Sequence, residues 1–161
     1  MRARVYIETS VVSYYAARPS RDLVTAARQQ VTREWWENEL GTFDAYVSAL
    51  VVREASAGDP QTVPERLTAL ADMPVLEINE AAESLAAELV ERRVIPAQNV
   101  EDALHIALAA VHGMDYLVTW NFRHLNNARA KFAIETAIAD RGLYSPVICS
   151  PEELMGGEDE A

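Results

Sequence analysis

Residues 99–125 read NVEDALHIALAAVHGMDYLVTWNFRHL, and this stretch decides the fold of the chain. An apolar segment that begins with two adjacent acids, Glu101 and Asp102, and ends at Gly113 predicts a helix. The short apolar run that follows predicts a strand, and polar side chains such as Asn121 lie just beyond it. A buried helix beside a buried strand, with polar groups at one end of each, is typical of an α/β site.

The segments on either side repeat this alternation. Strands are predicted at 4–7, 42–48, 73–78, 116–119 and 146–149, and helices at 22–40, 49–57, 64–72, 80–93 and 128–140, with one more helix capped by Thr9 or Ser10. On the helix at 22–40, Leu23, Ala27, Val31 and Trp35 recur at a spacing of four and predict its buried face. Strands alternating with helices predict an open, mostly parallel sheet covered by helices on both faces.

Composition limits the class of protein. A chain of 161 residues, half of them apolar, predicts one domain, placed here at 1–155, and the glycine-rich and acidic segment 156–161 is expected to be a disordered tail. The absence of a long apolar run and the early acid Glu8 predict a soluble, cytoplasmic protein. The single Cys149 rules out an internal disulfide, and a net charge of −11 gives no basic footprint for nucleic acid.

Acidic and amide side chains follow the ends of several predicted strands. Glu8 follows the first strand, and Glu54 lies on the helix after the second. Asn121 follows the strand at 116–119, and Asp102 begins a helix that can cover the same edge. Neighbouring strands are about 4.8 Å apart, so these groups can meet. Converging acids repel one another unless a cation holds them ionised, and Mg²⁺ or Mn²⁺ prefers such oxygen ligands.

Each of these residues also has a purely structural explanation. Glu8 can be an acid in the first turn of a helix, Glu54 can lie at the rim of an apolar face, and Asn121 can be a turn residue. With Asn99 as cap, Asp102 can complete a capping box. Helical periodicity does not separate Glu101 from Asp102, and His105 is expected to be a core histidine. His124 and Arg123 are candidate phosphate contacts.

Other catalytic patterns are missing from the sequence. It has no glycine-rich phosphate loop, no His-Glu-x-x-His, no paired cysteines and no Gly-x-Ser-x-Gly. Metal-assisted phosphodiester cleavage is the chemistry that remains.

Four segments resemble the PIN domain, and in particular the VapC-type toxin ribonucleases of type II toxin–antitoxin systems. They are residues 5–10, 48–54, 100–107 and 117–121. The resemblance implies a three-layer α/β/α sandwich whose acids bind Mg²⁺ or Mn²⁺ and activate water to cut RNA. It also implies a basic antitoxin as partner and a homodimer.

Carried over by position, the resemblance makes Glu8, Glu54 and Asp102 the metal ligands, with Asn121 in the fourth catalytic place. Thr9 or Ser10 would support them, and the match favours Asp102 over Glu101. The family usually has Asp at the position of Glu8 and often Asp at that of Asn121. The longer Glu8 can shift an ion that requires contacts of about 2.1 Å, and Asn121 removes a charge.

The sequence is also compatible with two other functions. A PIN-like domain without nuclease activity, kept as a protein- or RNA-binding module, is favoured by Asn121 and by the net charge of −11. A phosphoacceptor receiver domain shares strand-end acids. It fits less well because the first strand ends in Glu-Thr-Ser and the only lysine, Lys131, lies in a predicted helix.

Overall fold

The computed structural model describes residues 1–156, which form a five-stranded sheet with helices packed around it. The strands are β1 (Arg4–Ile7), β2 (Asp44–Ser48), β3 (Val75–Leu76), β4 (Tyr116–Val118) and β5 (Val147–Cys149). The α-helices are α1 (Thr9–Ala16), α2 (Leu23–Asn38), α3 (Ala49–Ala55), α4 (Val63–Leu70), α5 (Glu80–Glu91), α6 (Val100–Val111) and α7 (Ala128–Ala139). The order β3-β2-β1-β4-β5 is parallel throughout and confirms the predicted α/β/α sandwich.

Strand β1 lies at the centre of the sheet and is buried on both faces. Val5, Tyr6 and Ile7 have no exposed surface, which agrees with the continuous apolar runs of covered parallel sheets. Ile7 pairs in register with Val118 of β4. The residues that directly follow these two strands, Glu8 and Thr119, therefore meet at the carboxyl edge.

The predicted buried face of α2 is wrong in its first half. Leu23 is 86% exposed, whereas Gln29, Thr32 and Trp35 are buried. Hydrogen bonds explain the difference, because Gln29 bonds to the backbone of the preceding loop and the Thr32 hydroxyl accepts the indole N–H of Trp120. Polar contacts rather than apolar spacing select the side of α2 that faces inward.

Of the N-cap residues predicted for α3 and α1, the first is correct and the second is wrong. Ser48 caps α3 as predicted, since its Oγ accepts the N–H of Val51. The cap of α1 is Glu8 rather than Thr9 or Ser10, because the first carboxylate after β1 reaches the Ser10 N–H.

Two predictions, the disordered tail and the domain limits, depend on residues near the C-terminus. Apart from Gly156, the predicted tail at 156–161 lies outside the described residues, and the domain limits of 1–155 stay a prediction. Within residues 1–156, the helices are too short or too polar to cross a bilayer.

Candidate metal centre

Glu8 lies at the carboxyl end of β1 and is only 6% exposed. Its carboxylate accepts the Ser10 N–H at 3.1 Å and the hydroxyls of Ser10 and Thr119 at 2.5 Å each. Such hydrogen bonds to an ionised oxygen are stronger than neutral ones. The sheet edge therefore holds a nearly buried carboxylate in a fixed orientation.

Glu54 reaches the same edge from α3. Its Oε1 accepts the Thr9 hydroxyl at 2.6 Å and lies 2.6 Å from His105 Nε2. Partial burial alone would raise the pKa of Glu54, but the hydrogen bonds from His105 and from the Thr9 hydroxyl lower that pKa below its usual value. Glu54 is therefore ionised at neutral pH.

His105 connects Glu54 to a buried chain of hydrogen bonds. It is 1% exposed, its Nδ1 lies 2.7 Å from the Tyr6 hydroxyl, and that hydroxyl lies 2.8 Å from Ser48 Oγ. Burial would lower the pKa of His105, but the Glu54 contact and nearby negative charges outweigh it, so the pKa is raised. Burial also raises the pKa of Tyr6, which keeps its hydroxyl protonated.

Three side chains converge closely enough to share one ion. Glu8, Glu54 and His105 each offer a ligand atom, and these atoms lie within 4.8 Å of one another. Two carboxylates brought together at a partly open edge are the oxygen donors that a hard divalent cation prefers. The two carboxylates therefore fit a divalent metal ion, and its identity as Mg²⁺ or Mn²⁺ stays a prediction.

Asp102 and Asn121 lie near this cluster but make other contacts. Asp102 Oδ2 is 2.9 Å from Nδ1 of His124, although its charge still acts on His105 one turn further along α6. The side-chain oxygen of Asn121 accepts the backbone N–H groups of Arg123 and His124, as in a turn. Arg123 is exposed. The ligand roles of Asp102 and Asn121, and the phosphate contacts of Arg123 and His124, stay predictions.

Sequence reasoning missed three members of the site. His105 lies in the core as expected, but its contact with Glu54 was not predicted, and Tyr6 and Thr119 were not candidates. Two spacings point to Tyr6 and His105. Tyr6 lies on β1 two residues before Glu8, and His105 lies three residues after Asp102 on α6. Thr119 follows β4 directly, the position that Glu8 holds after β1.

Comparison with known proteins adds a family and a structural neighbour. The sequence matches the PIN domain family over residues 5–131. The structure is similar to the crystal structure of VapBC2 from Rickettsia felis bound to a DNA fragment from their promoter, with a TM-score of 0.52. The two chains are 12% identical, and the match covers 91% of this chain and 98% of the other. That likeness concerns the fold alone. No curated protein matches the sequence significantly.

Proposed function

Because this chain belongs to the PIN domain family, we propose that it is a metal-dependent endoribonuclease and the toxin of a VapC-type toxin–antitoxin pair. The observation that carries the proposal is the meeting of Glu8 and Glu54 at the carboxyl edge of the sheet. Parallel α/β sheets bind their ligands at this edge. Paired carboxylates that can hold a divalent ion suit the hydrolysis of a phosphodiester.

Mg²⁺ or Mn²⁺ would be held by Glu8, Glu54 and Asp102, with Asn121 in the fourth place. When bound, the ion supplies an activated water and neutralises charge on the scissile phosphate. Within the chain, the hydroxyls of Thr9 and Ser10 orient the two glutamates. Such preorganisation matters because a small displacement of a ligand weakens the site.

The proposed toxin function also suggests how the chain contacts RNA and which proteins it binds. Arg123 and His124 would contact the phosphate backbone beside the cluster, since they follow β4 at that edge. The net charge of −11 suits a basic antitoxin, whose binding would offset the acidic surface. We also propose that the chain forms a homodimer and acts in the cytoplasm.

Cleavage of RNA by the purified protein tests the proposal. The wild type should cut RNA with Mg²⁺ or Mn²⁺ and stop when EDTA removes the ion. Glu54→Gln and Asp102→Asn should each slow cleavage by about 100-fold or more, because losing a ligand should cost at least as much as losing a group that supports one. Glu101→Gln is the matched control, because it removes an adjacent but exposed charge and should cleave normally. Equal cleavage by wild type and Asp102→Asn would refute the assignment.

A second candidate is a binding module without nuclease activity. It is favoured by Asn121, whose side-chain oxygen is already used by two backbone N–H groups of its own loop. Calorimetric titration with Mn²⁺ separates the two functions. A protein that binds RNA but takes up no Mn²⁺ and leaves the RNA intact is the module.

A further inference from the structure

We propose that His105 is a positioning residue that fixes the Glu54 carboxylate for metal binding, through a hydrogen-bond relay of His105, Tyr6 and Ser48. The inference rests on the proposed metal-dependent function and extends it to three side chains behind the ligands. All three are buried: Tyr6 and Ser48 have no exposed surface, and His105 is 1% exposed.

The direction of the hydrogen bonds in the relay can be assigned from its far end. Ser48 Oγ accepts the backbone N–H of Val51, and the proton of this buried hydroxyl needs an acceptor of its own. Among the residues that the structure describes, the contact open to that proton is Tyr6 Oη at 2.8 Å. Tyr6 in turn donates to His105 Nδ1 at 2.7 Å. The proton of the neutral imidazole then lies on Nε2, which donates to Glu54 Oε1 at 2.6 Å.

This assignment argues against His105 as a ligand in its own right. Coordination through Nε2 would require the proton to leave that atom. The second nitrogen of a metal-bound histidine normally carries the proton, so Nδ1 would donate to Tyr6 and Tyr6 to Ser48. The Ser48 hydroxyl would then lose its acceptor within residues 1–156. An unpaired buried hydroxyl is unfavourable, so the relay favours a donor role for His105.

Glu54 has particular need of such support. Its side chain is 31% exposed and extends from α3, a helix of seven residues. A long carboxylate side chain loses rotamer freedom when it is fixed at an ion. The Thr9 hydroxyl and His105 Nε2 hold the same oxygen, Oε1, from two different elements, α1 and α6. The carboxylate is therefore ordered before an ion arrives, which should strengthen binding.

Nitrogen NMR of the wild-type protein tests the relay directly. In the metal-free protein at neutral pH, the His105 imidazole should carry a proton on Nε2. Mg²⁺ is diamagnetic, and after its addition the Nε2 proton should remain. A proton on Nδ1, with or without one on Nε2 and either before or after Mg²⁺ is added, would reverse the Tyr6 and Ser48 hydrogen bonds and overturn the relay.

Metal titration of variants gives a second readout. Tyr6→Phe leaves both glutamates and His105 intact but removes the middle of the relay, and it should weaken Mn²⁺ binding by about 10-fold or more. Tyr116→Phe is the matched control, since that tyrosine begins β4 at the opposite end of the strand and should bind Mn²⁺ normally. Equal affinity for both variants contradicts the proposal.

Substitution of His105 itself distinguishes a hydrogen-bond donor to Glu54 from a side chain that only fills space. His105→Gln retains an N–H that can reach Glu54, whereas His105→Leu retains only apolar volume. The glutamine variant should recover part of the Mn²⁺ affinity that the leucine variant loses, and equal losses would oppose a donor role. If a relay variant fails to fold, the NMR measurement on the wild type still decides.

The outcomes for this inference and for the proposed function can be told apart. If the wild type binds Mn²⁺ more tightly than Tyr6→Phe but leaves RNA intact, the nuclease assignment fails and the positioning role survives. If the wild type cleaves RNA while Tyr6→Phe binds Mn²⁺ equally well, the relay fails alone. A wild type that takes up no Mn²⁺ at all overturns both.

Discussion

His105 Nε2 lies 2.6 Å from Glu54 Oε1, and this contact joins α6 to α3 at the carboxyl edge of the sheet. The two residues are 51 positions apart in sequence. A site built from such distant segments exists only when β1 and its neighbouring helices are in place. Substitutions that loosen the supports of the carboxylates should therefore affect both stability and metal binding.

Thr119→Val should lower both properties. The Thr119 hydroxyl is fully buried, donates to Glu8 at 2.5 Å and accepts the Asn121 N–H at 2.9 Å. Valine keeps the shape but leaves both partners without this contact, so the free energy of unfolding should fall by about 1–3 kcal/mol. Urea unfolding of the metal-free protein measures the loss, and Mn²⁺ titration should show weaker binding.

Thr136→Val is the control for that change. The Thr136 hydroxyl donates to the Phe132 carbonyl within α7, on the exposed surface. Its replacement should change the free energy of unfolding by no more than about 0.5 kcal/mol. A loss at Thr119 no larger than the loss at Thr136 would show that the Thr119 hydroxyl does not support Glu8.

Most of the fold could be predicted from local patterns, because covered parallel strands are continuously apolar. The 4–7 strand was placed correctly at β1, and Glu8 and Glu54 were correctly placed at one edge. The spacings of Tyr6 and His105 place both side chains near this edge, but the hydrogen bonds between them could not be predicted, because a histidine in an apolar helix has no local signal for partners 51 and 99 positions away. The exposed Leu23 has a similar cause: hydrogen bonds of Gln29 and Thr32, rather than apolar spacing, orient α2.

Arg66→Met should destabilise the helix that carries Glu54. Arg66 is buried, and its guanidinium donates to the carbonyls of Ala55 and Ala57 at the end of α3 and to the Thr62 hydroxyl. Methionine fills the space without these donors, so we expect a loss of about 2–4 kcal/mol in the free energy of unfolding.

Two further variants sharpen this test. Arg66→Lys should recover only part of the loss, since an ammonium cannot reproduce the planar fork of donors. Arg129→Met removes an exposed arginine from α7 and should be nearly neutral. Chemical denaturation of the three variants in parallel ranks them, and an Arg66→Met variant as stable as wild type would exclude a structural role for the guanidinium.

Cys149 should be inert in the folded protein. Its side chain is 2% exposed at the end of β5, and burial raises the pKa of its thiol to about 12. The thiolate is the reactive form, so a thiol reagent at pH 8 should label native protein very slowly and denatured protein quickly. Mass spectrometry after timed alkylation measures both rates. Rapid labelling of native protein would contradict the buried position of β5.

Asp22 should make the stability of α2 depend on pH. Its carboxylate caps this helix. The hydrogen bond from the Thr25 N–H, and to a smaller extent the one from the Thr25 hydroxyl, lowers the pKa of Asp22 below the ordinary 3.8. A lowered folded-state pKa means that the carboxylate stabilises the protein above about pH 3.8 and that this contribution is lost as the pH falls through the folded value.

Two substitutions separate the charge of Asp22 from its capping role. Asp22→Asn keeps a good cap without the charge, and Asp22→Ala removes both. In thermal unfolding at pH 7, the wild type should have the highest Tm, Asp22→Asn a slightly lower one, and Asp22→Ala the lowest. As the pH falls below about 3.8 and through the lowered folded-state pKa, the gap between wild type and Asp22→Asn should close because protonated aspartic acid no longer carries the charge. The gap between the two variants should persist, because neither titrates at that position.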